Sequence, residues 1–267
     1  MLIGKTAIIT GAVTGVGLAV TRRFADAGVR LVLTDTNEER LESEAEELRE
    51  AGAEVLTYSC DMKEKLSVNN LVALGVDGYE EIDILVNASR DLRAGDPLAN
   101  ADADLDYLID QNVKAPLRLA QAVARRMIAQ AERRQSVPPG GHGTIVNITS
   151  IAGQRTLPAL LAYSVSCAAM DQMTRSLAVA LAPQSIRVNA VAVGGVMTAN
   201  LRDALKGQDN LRRQMIAVTP LGRIGEAGEA AEAVAFLASP AASFITGQIL
   251  AVDGGRTVLD PLNVPAH

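Results

Sequence analysis

The chain has 267 residues, 48% of them apolar and 21% charged, with a net charge of −6 at pH 7. The apolar share supplies a sizeable core and excludes a disordered chain, and the acidic balance argues against the basic face of a nucleic-acid binder. No apolar run reaches the roughly 20 residues needed to span a bilayer, and two cysteines, Cys60 and Cys167, are too few for a disulfide framework.

The first residues, Met1 to Lys5, lead straight into an apolar strand pattern with no export signal. With the reduced cysteine usage, this sets the expectation of a cytoplasmic protein. The two histidines, His142 and His267, stand apart from any Cys or carboxylate cluster, so no metal site is expected. Short apolar runs then alternate with helical patterns along the chain. A buried strand is predicted at 6–10, a helix at 16–27 closed by Gly28, and a strand at 30–34. A charged amphipathic helix follows at 38–51, stopped by Gly52, and then a strand at 54–58. The Gly75–Gly78 stretch reads as an interruption of the next helix. Further strands are predicted at 82–87, 143–149, 185–193 and 248–252, with strong helices at 104–131 and 162–181. Pro138-Pro139-Gly140-Gly141 is a surface turn, and the tail 256–267, with Pro261 and Pro265, reads as an irregular extension. Alternating strands and helices imply βαβ units and one α/β, doubly wound, Rossmann-like parallel sheet with helices on both faces. The whole of 1–267 is expected to be one domain.

Thr10-Gly11-Ala12-Val13-Thr14-Gly15-Val16-Gly17 lies between the first strand and the first helix. Glycines there let the backbone turn tightly and approach a pyrophosphate, and the helix behind them offers free N–H groups and a positive dipole end. Asp35 follows the second strand, where a carboxylate can accept hydrogen bonds from adenosine ribose hydroxyls and repel a 2′-phosphate. No Arg or Lys lies in the glycine loop or directly after Asp35, which favours NAD over NADP.

These motifs resemble the short-chain dehydrogenase/reductase family over nearly the whole chain. The glycine loop matches in spacing, Asp61 matches the family's adenine-contacting Asp, and Asn87 matches the Asn after the fourth strand. Asn112, Ser150 and Tyr163 match three members of a catalytic tetrad, Tyr163 following Ser150 by 13 residues. Thr198 matches the Thr that contacts the carboxamide, and the segments 245–248 and 252–255 resemble the C-terminal strand region. The resemblance implies a nucleotide held by Gly11, Thr14, Gly15, Val16 and Gly17, with Asp35, Cys60, Asp61 and Met62 around its adenosine half. Asn87, Ala88, Gly194, Val196 and Thr198 complete the implied cofactor-binding set. It also implies a homodimer or homotetramer whose interface uses the two long helices and the last strand.

Three residues depart from the pattern. Cys167 stands where the catalytic Lys is expected, Arg90 where Asn-Asn-Ala-Gly ends in Gly, and Val193 where a Pro precedes Gly. In hydride transfer to a carbonyl, a Tyr hydroxyl donates the proton and a Ser hydroxyl binds the same oxygen. The family's Lys lowers the Tyr pKa and holds the nicotinamide ribose, a task a neutral thiol cannot perform. Cys167 reads as a small buried residue or as a redox thiol, and Arg155 as a solvated loop residue or one facing substrate. Leu201, Leu205, Leu211, Met215 and Ile216, within the segment 197–219, form either a lid over a hydrophobic substrate or a plain amphipathic surface. Three functions are compatible with these residues. The first is an NAD-dependent oxidoreductase acting on a small, hydrophobic secondary alcohol or ketone. The second is an NAD-binding pseudoenzyme serving as a sensor or partner subunit. The third is a purely structural protomer that no longer binds nucleotide because Arg90 blocks the cleft; the Val193 departure, which loosens a rigid turn, bears with the other two on turnover.

Overall fold

The computed structural model describes residues 2–99, 101–134 and 136–260; of the expected irregular tail 256–267, residues 256–260 form turns and irregular chain, and the part with Pro261 and Pro265 lies outside the described residues. The first half is built from β1 (Thr6–Thr10), α1 (Gly15–Asp26), β2 (Arg30–Thr34), α2 (Glu38–Glu50), β3 (Val55–Thr57), α3 (Lys65–Tyr79) and β4 (Ile84–Asn87). The chain continues through α4 (Ala101–Ile109), α5 (Ala115–Ala131), β5 (Gly143–Ser150), α6 (Leu161–Leu181) and β6 (Ile186–Val193). It closes with β7 (Val196–Met197), α7 (Ala199–Ala204), α8 (Asp209–Ala217), β8 (Gly225–Glu226), α9 (Ala227–Ala238) and β9 (Ile249–Val252). Seven strands form one parallel sheet in the order β3-β2-β1-β4-β5-β6-β9, and β7 pairs with β8 in a small separate ribbon. This is the doubly wound α/β sheet that the alternating pattern predicts.

Strand residues alternate between two cores, as period-2 side chains must. Ile9, Leu33, Val86 and Val146 pack with Val20, Phe24, Leu41 and Val234 on one face. Their neighbours Ile8, Val32, Leu85 and Ile145 pack with Leu71, Leu119 and Val123 on the other. Because both faces are covered, the strands read as continuous apolar runs. Phe24 is fully buried, and truncating such a side chain to Ala costs about 3–5 kcal/mol.

Two expected elements differ. The stretch 75–78 does not interrupt a helix, since α3 runs through it. A Cβ on Gly75 would sit 3.3 Å from Val32 Cγ2, and one on Gly78 would sit 2.4 Å from Leu56 Cδ1. Both glycines therefore let the helix press onto the sheet, and this packing outweighs their low helix propensity. The expected helix 104–131 is broken instead, because Asp110–Lys114 forms a π-turn between α4 and α5. Pro116 has no N–H to offer the carbonyl four residues back, at Asn112. The wider turn carries the buried Asn112 side chain to the Asp91 backbone, which it both donates to and accepts from at 2.8 Å.

β1 is flanked by β2 on one side and β4 on the other, so the winding direction reverses between β1 and β4. Their C-terminal ends meet at Thr10 opposite Asn87, and a crevice opens there.

Candidate active site

The glycine loop leaves β1 at this crevice. Gly11 and Gly15 adopt left-handed φ of 62° and 52°, a region that side chains disfavour. A Cβ on Gly11 would lie 2.8 Å from the Ser89 backbone, and one on Gly17 only 2.1 Å from the Gly11 carbonyl oxygen. The loop is thus folded tightly on itself and on the end of β4. Thr14 is the N-cap of α1 in extended conformation, and its side chain makes no capping hydrogen bond. The first N–H groups of α1 are left with the positive end of the helix dipole, as an anion requires. Val16 and Gly17 are buried in the first turn, and Thr14 is exposed.

Asp35, just past β2, faces the same loop. Its carboxylate accepts from Val13 N at 3.5 Å and from Asn37 N at 3.1 Å, while Asn37 caps α2 through Arg40 N. The Cys60 N–H donates to the Asp35 carbonyl at 3.3 Å, bringing the segment after β3 to the same edge. Asp61 there is paired with Lys63 at 3.2 Å. Met62 is buried in the core under α3 and α5 rather than exposed at the rim. Thr10 Oγ1 accepts from both Ala88 N and Ser89 N at 3.0 Å, fixing the loop after β4. Beneath it, Asn87 Nδ2 donates to Asn147 Oδ1 at 2.9 Å, and Asn147 Nδ2 donates to Thr174 Oγ1 at 2.8 Å. Asn87 Oδ1 is buried without a partner.

The second cluster lies at the ends of β5 and α6. Ser150 is the last residue of β5, and its Oγ accepts from Ala152 N at 3.2 Å. Tyr163 and Cys167 are one turn apart on α6 and buried together with Leu108. Burial pushes the Tyr163 phenol up to about 12; the charge of Arg90 opposes this, nearby Cys167 adds to it, and a bond to Ser150 lowers it. Burial likewise raises Cys167, again against Arg90. Asn112 Nδ2 donates to Ser166 Oγ at 3.2 Å, which ties the π-turn to α6. Asn112, Ser150, Tyr163 and Cys167 are therefore brought together. Lys114 faces away in an ion pair with Asp110, and Arg155 is exposed in its loop.

Arg90 does not lie over the glycine loop. The atoms nearest a Cβ on Gly11 belong to Ser89 and Ala88, whereas the Arg90 guanidinium donates from Nη1 to the Thr149 carbonyl at 2.7 Å. The Arg90 side chain turns from the glycine loop toward the space beside Tyr163. Val193 does not loosen its turn either. It is 6% exposed inside β6 and in register with both Ser150 and Val252, and pairing on both sides holds the chain in place of a proline ring. Beyond it, Gly194 N donates to the Val252 carbonyl at 3.1 Å, Val196 lies buried in β7, and Thr198 caps α7 through Leu201 N. Thr198 Cγ2 lies 3.5 Å from where a Gly15 Cβ would be, so this segment reaches back across the glycine loop. The segment 197–219 is two short helices, in which Leu205 is buried, Met215 and Ile216 are half-buried, and Leu211 is exposed.

Sequence reasoning missed Asn147, Thr174, Ser166 and Asp91. Asn147 carried one usable signal, a polar residue three positions before Ser150 in an otherwise apolar strand.

The sequence profile described as enoyl-(acyl carrier protein) reductase matches residues 11–257. The L-tagatose-forming galactitol 2-dehydrogenase of Cereibacter sphaeroides is 36% identical over 257 residues, covering 96% of each chain. A solved short-chain dehydrogenase/reductase of Serratia marcescens, a double-substitution variant, superposes with a TM-score of 0.84 at 31% identity, covering 96% of this chain and 99% of that one. A 7α-hydroxysteroid dehydrogenase in complex with NADH and 7-oxo glycochenodeoxycholic acid superposes with a TM-score of 0.84 at 33% identity, covering 95% of this chain and 94% of that one.

Proposed function

The chain belongs to the short-chain dehydrogenase/reductase family of oxidoreductases, and we propose that it interconverts a secondary alcohol and its ketone with NAD(H). The observation that carries this reading is the pairing of two sites at one sheet edge. A glycine cradle with an uncapped helix terminus stands at the same sheet edge as a buried Tyr163 phenol, with Ser150 at the end of β5 acting on it. The residues fit the cofactor. Side chains at Gly11 or Gly17 would fill the cradle, and Asn87 Oδ1 is a buried acceptor with no partner of its own. Asp35, on the adenosine side, suits ribose hydroxyls and opposes a 2′-phosphate, which favours NAD over NADP. The relatives' own names, galactitol 2-dehydrogenase and 7α-hydroxysteroid dehydrogenase, both specify a secondary hydroxyl.

A bound NAD(H) supplies or accepts the hydride. The protein's part is proton transfer and charge stabilisation. In reduction, the Tyr163 hydroxyl donates a proton to the carbonyl oxygen as negative charge builds there, and the Ser150 hydroxyl donates a hydrogen bond to the same atom. Asn112 holds the loop after β4 and α6 in fixed relation through Asp91 and Ser166. The segment 197–219 covers the substrate, its Leu201, Met215 and Ile216 favouring an apolar one. Pairing of two copies across the open edge of β9 is supported by Phe244, 103% exposed, and Val179, 78% exposed.

The test is a titration with NADH and then NADPH, followed through cofactor fluorescence, for which a chain without Trp gives low background. Saturable NADH binding with weaker NADPH binding supports the reading. Binding of neither would overturn it.

A further inference from the structure

We propose that Arg90, reaching from the loop after β4, supplies to Tyr163 the positive charge that a lysine at position 167 of α6 would otherwise supply. The inference rests on the dehydrogenase reading, because it assigns the charge its role in proton transfer at Tyr163.

The geometry starts with the backbone on both sides of Arg90. Ala88 N and Ser89 N are fixed on Thr10 Oγ1, and Asp91 is held at both its N–H and its carbonyl by Asn112. Four hydrogen bonds thus aim one side chain away from the glycine loop and toward β5. There Nη1 is tethered to the Thr149 carbonyl at 2.7 Å, and the remaining N–H groups of the fork are available to an oxygen in the site. Arg90, Asn112, Tyr163, Ser166 and Cys167 surround one residual cavity of about 10 Å³, room for roughly one water. A lysine at position 167 and an arginine at 90 would press two cations into that space. The two departures from the family pattern are therefore one exchange, in which the small neutral thiol makes room for a guanidinium arriving from another element.

The surrounding charges favour this assignment. Arg90 makes no ion pair among the described residues, so no carboxylate neutralises it. The other cations nearby are engaged or distant. Lys63 is paired with Asp61, Arg93 with Asp104 over the Tyr107 ring, and Lys114 with Asp110, while Arg155 is exposed. Tyr163 is faced by Cys167 from its own helix, Ser150 from β5 and Arg90 from the β4 loop, with Leu105, Tyr107 and Leu108 packing from α4. Tyr107 donates to Asp91, which occupies that carboxylate, and Asp171 lies one turn beyond Cys167, opposed by Arg175. Arg90 is the foremost influence lowering both Tyr163 and Cys167 against burial. Guanidinium is always charged, so the effect persists at every pH the protein survives. Arg90 acts through Tyr163 and is in that sense a positioning residue.

The test reads the phenol itself, with no cofactor or substrate present, so its outcome is separate from that of the NADH titration. The chain has four tyrosines, and replacing them with 3,5-difluorotyrosine brings their titration into a mild pH range readable by ¹⁹F NMR. The Tyr163 signal is assigned by its absence in Tyr163→Phe. In Arg90→Gln the Tyr163 midpoint is expected to rise by about one pH unit or more, and in Arg90→Lys to stay near the parent value. An unmoved midpoint in folded Arg90→Gln overturns the proposal, as does an equal rise in Arg90→Lys. Should Arg90→Gln not fold, the double variant Arg90→Gly/Cys167→Lys decides the question. A midpoint close to the parent's shows that the two cations are interchangeable. A midpoint more than about one unit lower shows that Arg90 supplies little of the charge.

Discussion

The raised Tyr163 phenol makes the two directions of the proposed reaction respond differently to pH. Reduction needs the protonated phenol, and oxidation needs the phenolate. With the phenol at about 12 rather than its ordinary 10, Tyr163 is protonated throughout the neutral range. At pH 7 about one phenol in 10⁵ is ionised, and at pH 10 about one in 10². The kcat/KM of oxidation should therefore climb about tenfold per pH unit, roughly a thousandfold between pH 7 and 10, while that of reduction stays level. The assay is initial-rate absorbance of NADH with a panel of secondary alcohols and their ketones, galactitol and a 7α-hydroxy bile acid among them. Tyr163→Phe serves as the control and should abolish both directions. A level oxidation profile over this range, with Tyr163→Phe inactive, would refute the reasoning, because it would mean that burial does not govern the phenol when cofactor and substrate are in place.

Gly17→Ala places a Cβ 2.1 Å from the Gly11 carbonyl oxygen, a backbone atom that cannot step aside as a flexible side chain can. We expect a loss of about 1–3 kcal/mol in denaturant unfolding together with loss of NADH binding; full stability with full binding would contradict the close-packed loop. Asn147→Ala removes the bridge between Asn87 and Thr174 and leaves the buried Asn87 Nδ2 without an acceptor. The expected cost is about 1–3 kcal/mol by urea denaturation, and an unchanged midpoint would show that the chain of bonds contributes nothing net.

Most of the sheet was legible because each strand carries its own local signature. The 30–34 run, Arg-Leu-Val-Leu-Thr, is short, apolar and bounded by Gly28 and Asn37, and it forms a strand with those limits. The glycine loop was legible for the same reason, since tight turning is a property of consecutive residues. The C-terminal part of α3 was not. Gly75 and Gly78 weaken a helix when judged alone, and only the nearness of Val32 and Leu56 shows what they are for. Nor was the π-turn legible, because the bonds that explain it run between Asn112 and Asp91 across 21 positions.

The candidate site divides the same way. Ser150, Tyr163 and Asn112 could be marked from the family resemblance and Asp35 from its place after the second strand, because strand ends and helix turns place such residues reproducibly. Arg90 was marked as an intruder near the glycine loop, and the structure turns it to the Thr149 carbonyl, 59 positions away. The sequence by itself determined the order of strands and helices, the phosphate-type loop and the family, all of which rest on local periodicity and ordered motifs. The tertiary structure alone decided where the positive charge beside Tyr163 comes from. Electrostatic coupling depends on distance in space and on burial, and neither is written in the interval between two residues.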